Sequence, residues 1–213
     1  MVAEVVLVAG PSGCGKSHLA RTAGLPIVAL DDFYRDGTDP GMPRTATGLV
    51  DWEDPASWNP RAATAALAEL CRADQIDVPT YVFGQDRVVG SRTISRDGSA
   101  IVVAEGIFAA ELVSRLRQDG LLADALLIRQ NRWITFARRL VRDLRDGRKA
   151  PWVLVRQGWA KTRSEPDLVA HQCRCGARPV SKPEARDRLA GLAERGLVTG
   201  TAAPVVDSAV GAA

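Results

Sequence analysis

Residues 10–17 read Gly-Pro-Ser-Gly-Cys-Gly-Lys-Ser and follow the unbroken apolar run Val5-Val-Leu-Val-Ala9. A short strand with no polar alternation is buried on both faces, which is the condition of a parallel sheet covered by helices. A lysine just past such a strand needs an anion, and the spacing supplies one: the segment fits G-x-x-x-x-G-K-[ST] without a mismatch. Glycines let the backbone wrap so that successive N–H groups point inward and form an anion-binding concavity. The helix that starts at Lys16 adds its positive end. In this geometry Gly10, Ser12, Gly13, Cys14 and Gly15 shape the phosphate loop, with His18 just beyond it. Lys16 reaches the β- and γ-phosphates and the Ser17 hydroxyl ligates Mg²⁺. The motif therefore predicts an α/β P-loop NTPase fold and a nucleoside triphosphate ligand.

The bulk of the chain is consistent with that fold. Its 213 residues suit one domain with a full core. No apolar run approaches the roughly 18–20 residues that span a bilayer, and the N-terminus has no basic leader, so a cytoplasmic address is expected. A net charge of +3 is too weak to argue for a nucleic-acid or membrane partner, and none is expected. The four lysines leave 24 arginines among the 28 basic residues, so an arginine counts here only through its position. Cys14 and Cys71 are isolated, and Cys173-x-Cys175 lacks a second pair at zinc-finger spacing. Free cytoplasmic thiols are the plain reading; His171 is the one neighbour that could complete a metal site, and a fourth ligand is missing from the sequence.

Strand and helix signals alternate along the chain. Strands are expected at 4–9, 25–30, 99–105 and 124–129, and a hairpin over Ile76–Phe83 and Arg87–Ile94 beside the main sheet. Helices are expected at 16–23, from Asn59-Pro60 to about residue 73, at about 132–145 and 152–169, and from the capping box Ser181-Lys-Pro-Glu184 to about 195. Residues 35–58, rich in Gly, Pro, Asp and Thr, are too long for an idle connection. The whole reads as a single domain over 1–200 with a small hairpin subdomain, and a flexible tail over 201–213.

A phosphate loop alone does not choose among kinase, switch and motor. The chain lacks an Asn-Lys-x-Asp run for guanine and a Leu-Ser-Gly-Gly-Gln run. Asp31-Asp32-Phe33-Tyr34 falls where the second strand ends, at the edge where ligands sit, which in a sheet of this kind places it beside the phosphate loop. The ordered set GPSGCGKS, LDDFYR, WEDP, VPTYVF, VVAEGIF and RRLVRDLRDGR resembles the uridine kinase and phosphoribulokinase group of P-loop kinases over residues 4–160.

That resemblance implies an ATP- and Mg²⁺-dependent phosphotransferase with an alcohol acceptor. It makes Asp31 the carboxylate that takes the acceptor proton and helps hold Mg²⁺, with Asp32 as second choice. It makes Glu105 a ligand of the Mg²⁺ water shell and Tyr34 a wall of the acceptor pocket. Glu53 takes the place of the acid that holds ribose hydroxyls, Asp51 and Asp54 being alternatives, with Trp52 the aromatic beside it. Tyr81 and Phe83 take the place of aromatics that pack on the acceptor base; core filling is the competing explanation, since residues i and i+2 of a strand share a face. Where those kinases carry a pyrimidine-reading histidine, this chain has Gly84, Gln85 and Asp86. A nucleoside is the first expectation for the acceptor, and a sugar or pantothenate-like alcohol the alternative. Homo-oligomers occur in the family, but no interface is legible.

Residues 138–152 are expected to form a lid. At 100° per residue Arg138, Arg142 and Arg145 fall within about 60° of one another, opposite Trp133, Phe136, Ala137, Leu140, Val141 and Leu144. A solvated basic face would look the same, but the segment follows a late strand and breaks at Gly147, as a closing lid does. The resemblance assigns Arg138, Arg139 and Arg148 to the nucleotide phosphates, Arg139 and Arg142 to the transferring group or acceptor, and Gln157 to the acceptor.

Overall fold

The computed structural model describes residues 2–45, 47–130, 133, 135, 141 and 165–200, with side chains to residue 195. Strand β1 (Glu4–Ala9) lies at the centre of a five-stranded parallel sheet. Its neighbours are β5 (Ile101–Glu105) and β6 (Leu122–Ile128); β2 (Ile27–Ala29) flanks β5, and β7 (Arg178–Val180) flanks β6. Strands β3 (Gln75–Val82) and β4 (Arg87–Ser95) form the expected antiparallel hairpin as a separate sheet.

Alternation along β1 divides the core in two. Val5, Leu7 and Ala9 face the cluster built on α2 (Pro60–Arg72) and α3 (Val113–Gln118). Val6 and Val8 face α1 (Lys16–Thr22) and the last helix, through Leu19, Ala20, Ala185 and Leu189. Helix α2 buries Ala63, Leu67, Leu70 and Cys71, the spacing of one helical face. Each fully buried leucine contributes about 1.5–3 kcal/mol. Asn59 caps α2 as expected: its side-chain oxygen accepts from the Ala62 N–H at 3.0 Å, and Pro60 opens the first turn.

Some boundaries differ from the sequence reading. Strand β2 is three residues long, because Leu30–Phe33 turn into a 3-10 helix. In the sheet β5 separates it from β1. Among the described residues, helix α4 runs over 165–174, past the expected end at 169, and α5 (Lys182–Gly200) outruns its expected end at 195. Trp133 and Val141, assigned by periodicity to a packed face, are 46% and 50% exposed. Trp133 faces a cleft with Pro11, Ile128 and Val169 instead of the core. No helix among the described residues is long and apolar enough to cross a membrane.

Candidate active site

The phosphate loop begins where β1 ends, and its glycines adopt the conformations the motif requires. Gly13 and Gly15 have φ of 84° and 92°, values that a side chain disfavours. Lys16 is buried, and its Nζ donates to the carbonyls of Gly10 and Pro11 at 2.9 and 3.2 Å, folding the side chain along its own loop. The start of α1 carries no side-chain cap. Cys14 does not face the cleft: its N–H closes a turn onto the Pro11 carbonyl at 3.2 Å, and its buried thiol packs under Gly10. Burial raises the pKa of that thiol, and the charge of Lys16 partly offsets the effect.

Sheet order then places the acids. Glu105 ends β5, with Val8 and Ala29 as its register partners on either side. Asp31 follows β2 in the 3-10 turn. The carboxyl ends of β2, β5 and β1 thus present Asp31, Glu105 and the phosphate loop in a row, at the edge where ligands of such sheets bind. The turn of Asp31 is pinned from below: the buried Trp58 donates its Nε1–H to the Leu30 carbonyl at 2.7 Å. Gly106 lets the chain pass, since a Cβ there would lie 2.9 Å from the Leu30 Cβ.

One cleft of about 630 Å³ joins these groups. Its lining brings together Ser12, Gly13, Gly15, Lys16, Ser17 and His18 of the loop and the start of α1, the acids Asp31 and Glu105, and Tyr34, Trp52, Glu53 and Phe83. The rings of Tyr34 and Phe83 meet edge-on at 5.4 Å, those of Tyr34 and Trp52 at 5.7 Å. Tyr34 donates its hydroxyl to the Trp52 carbonyl at 3.0 Å, so it meets the cleft as a ring. Burial, with Asp31 and Glu53 nearby, raises its pKa and keeps it neutral.

Several sequence candidates stand elsewhere. Asp32, second choice for the acceptor, points to the hairpin: it accepts from Arg92 at 2.7 Å and from the Tyr81 N–H at 3.2 Å. An adjacent residue in a 3-10 turn cannot share Asp31's direction. Tyr81 is buried behind Tyr34 and Phe83, as core filling requires, and does not line the cleft. Of the three alternative acids, Glu53 lines the cleft; Asp51 accepts from the Glu53 N–H and Asp54 from the Ala56 N–H, and neither lines it. Arg138, Arg139, Arg142, Arg148 and Gln157, with the rest of the expected lid apart from Val141 and with the tail, lie outside the described residues.

Sequence reasoning missed three lining or flanking groups. Arg21 lies one helical turn beyond Ser17, a spacing that could have revealed it. Ile107 lines the cleft two residues after Glu105. Lys182 opens α5 with its Nζ 2.8 Å from where a Gly15 Cβ would sit, a contact no local pattern announces.

A sequence model of the Phosphoribulokinase / Uridine kinase family matches residues 5–173. The chain belongs to that family. It is 26% identical to the uridine kinase of Saccharomyces cerevisiae over 147 residues, 66% of this chain and 29% of that protein. It is 31% identical to the inorganic pyrophosphatase TTM2 of Arabidopsis thaliana over 178 residues, 79% of this chain and 25% of that protein. The chain therefore spans under a third of the length of either relative. In fold it is similar to a kinase described as belonging to a fructose transport system, from Silicibacter sp. TM1040. That similarity has a TM-score of 0.60 at 16% identity and covers 85% of this chain and 88% of the other.

Proposed function

We propose that this P-loop kinase domain transfers the γ-phosphoryl group of ATP to a hydroxyl of a small molecule, most directly a nucleoside. The observation that carries the reading is the single cleft whose lining holds Lys16 and Ser17 together with Asp31, Glu105, Glu53, Tyr34 and Phe83. Loop amides and Lys16 suit a triphosphate; aromatic edges and a carboxylate suit a planar base and a sugar diol.

Ser17, Asp31 and Glu105 make an oxygen-only donor set of the type that takes Mg²⁺. Glu105 is 8% exposed and its carboxylate makes no hydrogen bond or ion pair among the described residues, so a cation there would offset its desolvation. Bound Mg²⁺ supplies charge neutralisation at the phosphates. Asp31 then acts as general base: it accepts the acceptor's hydroxyl proton as the oxygen attacks the γ-phosphorus in line, and ADP departs on the opposite side. Lys16 swings from its loop carbonyls to the phosphates. Arg138, Arg139, Arg142 and Arg148 would add positive charge for the transferring phosphoryl group.

The test is ADP release across nucleosides, sugars and pantothenate, with Lys16→Ala as the blank. Asp31→Asn is expected to keep ATP affinity while transfer falls about 10²–10⁴-fold; undiminished turnover would contradict the role of Asp31. The name of the Arabidopsis relative motivates one second reading, hydrolysis of a phosphoanhydride without an alcohol. Phosphate release from pyrophosphate or ATP that no acceptor accelerates would favour it.

A further inference from the structure

A second cluster of ligating side chains lies outside the cleft, where α4 meets the 3-10 turn Ala109–Leu112 that follows β5. We propose that Glu111, His171 and Cys175 bind a divalent transition-metal ion, Zn²⁺ being the one their chemistry favours, and that the ion fastens α4 to this turn. His171 and Cys175 are one helical turn apart, and the Cys175 N–H donates to the His171 carbonyl at 3.0 Å, which holds both on one face. The His171 Nε2 lies 2.5 Å from Oε1 of Glu111 and 3.6 Å from Sγ of Cys175. That sulfur lies 3.9 Å from the same carboxylate oxygen.

Tetrahedral Zn²⁺, with bonds of about 2.0–2.3 Å, separates neighbouring ligand atoms by roughly 3.3–3.7 Å. Both sulfur distances already match within a few tenths of an ångström. Only the histidine–carboxylate pair, closed by a hydrogen bond, has to open, by less than about 1 Å on the same bond lengths. One sulfur, one imidazole nitrogen and one carboxylate oxygen form a borderline-soft set, too soft for Mg²⁺ or Ca²⁺. Binding replaces the thiol proton of Cys175 by the metal, and the proton leaves to solvent. His171 is 42% exposed, so an ion reaches it from bulk water, which can also fill the fourth position. Cys173 packs against the apolar core and stays outside the triangle. Between these two ligands in the chain, Gln172 donates its side-chain N–H to the Ile107 carbonyl at 2.6 Å, and Ile107 lines the phosphate cleft. The ion would thus hold α4 against one wall of that cleft.

Co²⁺ titrated into the full chain without nucleotide gives a readout independent of any kinase activity. The expected result is a near-ultraviolet thiolate-to-cobalt band with the visible bands of a tetrahedral ion, both bleached by Zn²⁺. Cys175→Ser is expected to abolish the thiolate band, Glu111→Gln to weaken Co²⁺ binding, and Cys173→Ser to leave the band in place. Zn²⁺ is expected to raise the Tm of the unmodified chain and not that of Cys175→Ser. No thiolate band in the unmodified chain, a band that survives Cys175→Ser, or one lost in Cys173→Ser alone overturns the assignment. Should Cys175→Ser fail to fold, unchanged Co²⁺ affinity in Glu111→Gln overturns it equally.

Discussion

Gly10 shows how closely single residues are fitted around the phosphate loop. Its φ is 144°, and a Cβ at this position would lie 3.0 Å from the Cys14 sulfur and 3.1 Å from the Ile128 carbonyl oxygen. The first obstacle is a side chain that can be shortened; the second is the backbone of β6, which cannot retreat without breaking the sheet. Gly10→Ala is therefore expected to cost about 1–3 kcal/mol, the range for a residue forced into a glycine-only conformation. Urea unfolding measures the loss. Adding Cys14→Ala removes only the sulfur contact, so the double variant is expected to stay well below the unmodified chain. Full recovery would mean that the sulfur alone mattered. The same substitution strains the carbonyl that holds Lys16 at 2.9 Å, so nucleotide affinity should fall with stability.

At the scale of elements, the 3-10 turn Leu30–Phe33 is the joint between fold and chemistry. It presents Asp31 to the cleft, ties Asp32 to the hairpin through Arg92, and hangs from Trp58 by the bond to the Leu30 carbonyl. Trp58→Phe keeps a ring against Phe108, now 5.6 Å away, but leaves that buried carbonyl without its donor. The expected cost is about 1–3 kcal/mol. Because the phosphate loop hangs from β1, kcat is expected to fall while ATP affinity holds. Weakened ATP binding with kcat intact would show that the turn does not position the chemistry. This turn was only half legible in the sequence. The apolar run Leu25–Leu30 reads as strand to its end, and only the hydrogen bond from Trp58, 28 residues away, reveals where it bends. Elements with strong local signals were legible: the uninterrupted apolar run of β1, the Asn-Pro start of α2, the paired runs of the hairpin. Strand β7 was not, since Arg178-Pro-Val is tolerated as a strand only at a sheet edge. Six-residue α3 is too short to show a period. Among site residues, the phosphate loop is contiguous and carries its own pattern. Lys182 and the Glu111–His171 pairing depend on which distant elements pack together, and no spacing encodes that.

At the scale of the whole molecule, one sheet serves two cores, and the two have different claims on the site. Leu67 of α2 is fully buried on one face and Leu189 of α5 on the other. Either leucine changed to alanine is expected to destabilise the chain by about 2–5 kcal/mol, the range for a buried leucine cavity. Both faces share β1, so each variant should still unfold in one transition. Function should separate them. Helix α5 begins with Lys182, whose ammonium lies over Gly15 of the phosphate loop, and Leu189 is two turns further along the same helix. Loosening α5 withdraws a positive charge from the nucleotide, whereas loosening α2 leaves that charge in place. Under conditions where both variants remain folded, Leu189→Ala is expected to weaken ATP binding and Leu67→Ala to preserve it. Lys182→Ala should reproduce the affinity loss with a smaller loss of stability than Leu189→Ala. Calorimetric titration with ATP, beside thermal unfolding of the same samples, tests all three. Equal ATP affinity in Leu189→Ala and Leu67→Ala would show that the last helix covers the sheet and contributes nothing to the nucleotide.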